Sequence, residues 1–121
     1  MNKDKLPQEY YLQVDEVWKA FVEQLQKDAS MCGINLDTGI FSPDSLQENI
    51  QKINDWLKNT ASLASGYEKI QSWLYRVDVP EQLIKSKLNQ NDDYYHVVAE
   101  LIVKRTLQKV VIRYLHKYDK L

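Results

Sequence analysis

Asp93, His96 and Glu100 fall at i, i+3 and i+7, a spacing that sets a carboxylate, an imidazole and a second carboxylate on one side of a helix. Such a set could begin a metal site or a small-molecule site. Bundles that hold two metals take a Glu-x-x-His from each of two helices and further Glu residues from two others. This chain offers one Asp-x-x-His and no second copy, so a complete site needs Glu16, Glu23 or Glu48 to converge on it. Without them the same residues read as dipole-favoured acids and a hydrogen-bonded histidine at a helix start.

Further along, Arg105, Lys109, Arg113 and Lys117 repeat every four residues, with His116 and Lys120 near the same line. On a helix they form a basic band about 120° wide. A band like this could meet phosphates or an anionic surface. No Gly-rich loop, helix-turn-helix signature or second basic helix accompanies it, so nucleic acid is not the expected partner. A solvated or acid-paired face is the reading it favours. Glu100 precedes Lys104 by four residues, the order that supports an intrahelical pair. A buried polar seam that sets a dimer register is the sharper alternative.

Eight Tyr and three Trp are spread along the chain. Trp18, Phe21, Trp56 and Trp73 fit apolar stripes and core packing. The neighbours Tyr94 and Tyr95, the pair Tyr10 and Tyr11, and Tyr114 with Tyr118 are not all expected to point inward. Exposed tyrosines are enriched where proteins meet proteins. Nucleophilic chemistry has little to draw on. Cys32 falls at a helix C-terminus, where the dipole disfavours a thiolate, and His96 and His116 stand in no Ser/His/Asp or Cys/His spacing. Phosphate-cradling loops of the Walker or dinucleotide kind are absent, and no cofactor is expected.

The elements that must position these residues are helical. Residues 92–118 hold no Gly, Pro or Asn and carry Val97, Val98, Ala99, Leu101, Ile102, Val103, Leu107, Val110, Val111, Ile112 and Leu115, the pattern of a long central helix. Strict alternation is missing, which argues against a pair of strands. A first helix is expected over residues 8–31, opened by Leu6 and Pro7, with Tyr11, Val14, Trp18, Phe21 and Leu25 inward, Tyr10, Val17 and Val22 widening that stripe, and Gly33 as its left-handed stop. Ile34, Leu36, Ile40 and Phe41 should tuck the following loop onto the core. Ser42 with Pro43 predicts the start of a second helix through Leu46, Ile50, Ile53, Trp56 and Leu57, ending near Asn59 and Thr60. Residues 61–66 are mostly small and read as a connection. Tyr67, Ile70, Trp73, Leu74 and Val77 face inward from a third helix, and Pro80 with Glu81 opens a short fourth one that residues 89–91 end.

A chain of 121 residues with 44% apolar and 27% charged content fits one globular domain. A net charge of −1 excludes the strong positive field of a dedicated nucleic-acid coat. The charge is uneven, with six Lys/Arg against ten Asp/Glu up to residue 60 and ten against seven after it, so the halves can attract one another. One cysteine excludes an internal disulfide, no signal-peptide pattern follows Lys3, Asp4 and Lys5, and no apolar run reaches the roughly 20 residues of a membrane span. A cytoplasmic protein is expected.

Together these point to an all-α protein, a compact bundle of four or five helices with a long central C-terminal helix. The leading functional expectation is non-catalytic: a protein-protein interaction or regulatory module that binds another protein or itself as a homodimer. Its contact residues would be Tyr94, Tyr95, Arg105, Lys109, Arg113, Tyr114, Lys117 and Tyr118. The runner-up is a metal or small-molecule site at Asp93, His96 and Glu100, and the third reading is anion or nucleic-acid binding by the basic band.

Overall fold

The computed structural model describes residues 8–88 and 93–118 of the chain. Its centre is the helix Tyr94–Lys117, here α6, where 24 residues run with nothing to interrupt them. Asp93 caps its start by accepting from the Tyr95 amide at 3.0 Å, which satisfies one of the unpaired first-turn donors. Val97, Val98, Ala99, Ile102, Val103, Leu107 and Val110 are all buried along it. Two helices pack along α6, α2 (Asp15–Met31) and α3 (Leu46–Ala61), both antiparallel to it. Shorter helices α1 (Gln8–Leu12), α4 (Gly66–Arg76) and α5 (Glu81–Lys87) close the remaining sides, and the described residues include no strand. The molecule is an all-α bundle with its long helix in the middle, as its apolar periodicity predicts. Among the described residues no helix is long and apolar enough to cross a membrane.

One expected helix is two. A continuous helix over residues 8–31 would place Leu12 about 140° around the axis from Val17, yet both are fully buried. A break at Gln13 and Val14 lets each face the core, and the Gln13 amide then donates to the Pro43 carbonyl at 2.7 Å. The buried stripe of α2 is Val17, Phe21, Leu25 and Ala29, so Trp18 lies half-buried beside the Phe21 ring, 5.7 Å away, instead of inside. Gly33 does stop α2 with φ at +78°. Its amide reaches the Ser30 carbonyl and the Ile34 amide reaches that of Ala29, a Schellman closure.

α3 begins at Leu46, three residues later than Ser42 and Pro43 suggest. Ser45 is the cap, its hydroxyl accepting from the Glu48 amide at 3.2 Å. Ser42 instead turns the loop, accepting from the Asp44 amide. The fully buried Asn49 holds that loop from below, with its carbonyl taking the Ser42 amide and its amide donating to the Ser42 carbonyl at 2.7 Å. Ile34, Leu36 and Phe41 tuck inward as expected, but Ile40 is exposed, and the carbonyl of Ile40 accepts from Lys52. α3 passes to α4 so closely that a Cβ on Gly66 would lie 1.8 Å from the Thr60 carbonyl oxygen. On α4, Ile70, Trp73 and Leu74 are buried, with Val77 just after, and Trp56 of α3 meets Trp73 edge to face at 5.9 Å. Tyr67, expected inside, is exposed. Pro80 sits as the residue before α5. The expected signals at Leu6, Pro7, residues 89–92 and Lys120 lie outside the described residues.

Candidate functional site

The acid and imidazole set at the start of α6 is engaged locally. Asp93 caps the helix and pairs with Lys58 at 2.6 Å, and the Lys58 ammonium holds the Asp93 carboxyl below its ordinary range. Glu100 pairs with Lys104 at 2.9 Å across one turn, the intrahelical pair that the sequence order favours. His96 is half-buried, and Asp93 accepts from its backbone amide. Glu16 is at the far end of α6, Glu48 in the first turn of α3, and Glu23 lines a groove beside Arg113. Among the described residues no group of three or more His, Cys, Asp or Glu could hold a metal ion. Cys32 is half-buried, and burial pushes its thiol up, helped by Asp28 and opposed by Arg76.

The tyrosines divide into two kinds. Tyr94 and Tyr95 are half-buried and meet edge to face at 5.3 Å, with Tyr94 hydrogen-bonded to Gln71. Tyr114 packs partly on the core, and Tyr118 donates to Glu16 at 2.5 Å. The most exposed aromatic ring is Tyr75 at 85%, on α4, which the sequence stripes do not single out.

The basic band of α6 lies along a seam, and each member has a partner across it. Lys117 reaches Glu16 at 2.9 Å, Arg113 donates to the Gln24 carbonyl at 3.0 Å, and Lys109 donates to Asp78 at 3.0 Å. Arg105 donates to Gln108 at 2.8 Å and stands 3.9 Å from Asp78. The Lys109 hydrogen bond is the main cause holding the Asp78 carboxyl below its usual range. Asp78 is where it is because α4 ends in a second Schellman closure. Its φ is +62°, its amide meets the Tyr75 carbonyl, and the Val79 amide meets that of Leu74. Asp is one of the few residues with a side chain that tolerate this left-handed position.

Between α2, α4 and α6 the seam opens into a groove of about 520 Å³ lined by Gln24, Asp28, Arg76, Arg105, Lys109, Ile112 and Arg113. Asp28 forms the anionic part of this lining and is only 7% exposed. It accepts from the Gln24 amide at 3.1 Å and from Arg76 Nε at 3.4 Å, and Gln24 in turn accepts from Arg113. A chain of contacts from Arg113 through Gln24 and Asp28 to Arg76 therefore fixes two guanidinium groups on opposite walls. Arg113 also lines the two neighbouring grooves, one with Glu23, Lys27 and Leu36, the other with Glu16, Val110 and Tyr114. The groove takes Arg105, Lys109 and Arg113 from the predicted band. It adds Arg76, Asp28 and Gln24, which sequence spacing alone does not connect because they sit on other helices.

No family model, curated protein or solved structure matches this chain.

Proposed function

We propose that this chain is a non-catalytic helical protein that binds an acidic segment of another protein in the groove between α2, α4 and α6. The observation that carries this is the lining: Arg76, Arg105, Lys109 and Arg113 stand with Asp28 as the carboxylate among them and Asp78 paired to Lys109, and the exposed Ile112 lies in the same lining. Clustered arginine beside an apolar side chain is the composition of a binding surface more than of a solvated face. Concave positive surfaces also raise the arrival rate of acidic partners. The exposed Tyr75 next to Arg76 in sequence adds amphipathic surface of the kind interfaces use. A lone half-buried Cys32 suits a reducing, cytoplasmic setting.

The test is a titration of the isotope-labelled protein with a short Asp- and Glu-rich peptide carrying a leucine, read by amide shifts. Shifts should concentrate on Arg76 and residues 105–113, shrink as salt rises, and vanish in Lys109→Glu with Arg113→Glu. Unchanged binding in that double reversal would sink the proposal.

A further inference from the structure

We infer that the acidic group this groove receives is a phosphorylated side chain of the partner, not a carboxylate. This rests on the reading of the groove as a partner-binding site and names the chemistry of what enters it.

The donors are the first argument. Arg76 uses Nε for Asp28, which leaves its two terminal nitrogens with no acceptor among the described residues. Arg113 commits Nη2 to Gln24, and Arg105 commits Nη1 to Gln108. Arg105 Nη2 also faces Asp78 at 3.9 Å, whereas Arg76 and Arg113 are each held through one nitrogen while their other N–H groups stay available. One guanidinium fork fills two of the roughly four acceptor sites on a carboxylate. Arg76 and Arg113, with Arg105 and the Asp78-paired Lys109 beside them, offer more donors than those sites take and suit the three terminal oxygens of a phosphate ester.

Charge is the second argument. Four cations line the groove against Asp28, and counting Asp78, which engages Lys109, still leaves two positive charges in excess. A phosphate monoester brings a charge of about −1.5 to −2 at neutral pH, which matches that excess.

Extent is the third. From Arg105 to Arg113 the α6 wall rises about 12 Å, at 1.5 Å per residue. Beyond it Lys117 is neutralised by Glu16, and the neighbouring groove sets Glu23 against Lys27. The positive surface therefore ends after room for one or two phosphate groups, too short to follow a nucleic-acid backbone. Ile112 supplies an apolar contact for a residue flanking the phosphate.

The experiment titrates three short peptides into the labelled protein, identical except for phosphoserine, glutamate or serine between two leucines, at about 50 mM salt where screening is moderate. Arginine Nε–Hε and backbone shifts report binding. The phosphoserine peptide should bind at least about fivefold tighter than the glutamate peptide, given stronger charge-assisted bonds. Arg113→Gln should weaken it about tenfold. Asp78→Asn, which releases Lys109 and lies on an exposed turn, should tighten it about threefold, an effect opposite to that of a folding defect. Equal binding of glutamate and phosphoserine would overturn this inference and leave the acidic-partner reading standing. Binding of none of the acidic peptides would overturn both. Tighter binding of a short single-stranded oligonucleotide through Arg76 and Arg113 would also overturn it.

Discussion

The two halves of α6 solve different problems. From Val97 to Val103 it is an apolar strip enclosed by its neighbours, and Lys58 with Asp93 closes that end. From Arg105 to Lys117, Leu107 and Val110 carry the buried strip on, but beside them long polar side chains cross to Asp78, Gln24 and Glu16. Apolar burial contributes roughly 25 cal/mol for each Å² removed from water, whereas exposed ion pairs contribute about 1 kcal/mol or less. The first half therefore contributes more of what holds the molecule together. The second sets how α2 and α4 sit against α6, and it leaves a cationic concavity at the surface.

The comparison breaks most directly at Ile102, fully buried in the apolar half. Ile102→Ala should cost about 2–5 kcal/mol in a denaturant unfolding curve. A loss well below that would mean that the apolar half is not the main source of stability. Gly66→Ala comes next, at about 1–3 kcal/mol, because its new methyl must push the Thr60 carbonyl away and shift the α3 to α4 corner. An unchanged melting temperature would show that this corner gives way easily. On the polar side, Asp28→Ala should cost about 1–2 kcal/mol and disorder both Arg76 and Arg113 in side-chain NMR. If Arg113 stays ordered, Gln24 does not couple the two walls. Thr106 sharpens the contrast in the opposite direction. Its hydroxyl is buried with no hydrogen-bond partner among the described residues, so Thr106→Val should stabilise the fold by about 1 kcal/mol in the same unfolding assay.

The smallest effect concerns pH. Glu16 is held below the ordinary glutamate value of 4.5, first by the Tyr118 hydrogen bond and then by Lys117, while the same bond raises Tyr118 above 10.0. A depressed carboxyl stabilises above its unfolded value and loses that contribution as pH falls through the folded one. A raised hydroxyl stabilises below its unfolded value and loses it as pH climbs through the folded one. The tie between α2 and the end of α6 is thus intact between those limits and released on either side. Tyr118→Phe should move the Glu16 titration, followed by carboxyl NMR, back toward its ordinary value.

Much of the fold is legible in the sequence where one residue decides the local geometry. Gly33 stops α2 because its left-handed φ suits glycine, and the uninterrupted run after Asp93 can only be a long helix. The break at Gln13 is not legible, because no Gly, Pro or Asn marks it and the cause is the joint burial of Leu12 and Val17. Ser42 with Pro43 outweighs Ser45 as a start signal until Asn49 is seen to hold Ser42 in the loop. Ser45 followed by Glu48 was the better sign, a serine three residues before an acid. For the site, the period of four places Arg105, Lys109 and Arg113 on one strip. Arg76, Asp28 and Gln24 join them only through the way α2 and α4 cross α6. Spacing within one helix cannot report a meeting between three.

α6 also governs the order in which this molecule can come into being. Phe21 and Leu25 on α2, and Ile50 and Ile53 on α3, are translated well before the helix that covers them. Helices of 17 and 16 residues are marginal alone in water, so these two cannot wait as finished parts. A nascent chain that stops short of residue 93 carries two amphipathic segments without their common partner. Such a fragment exposes apolar surface of the kind that chaperones and proteases act on, and the buried faces of α2 and α3 close only once α6 has been made.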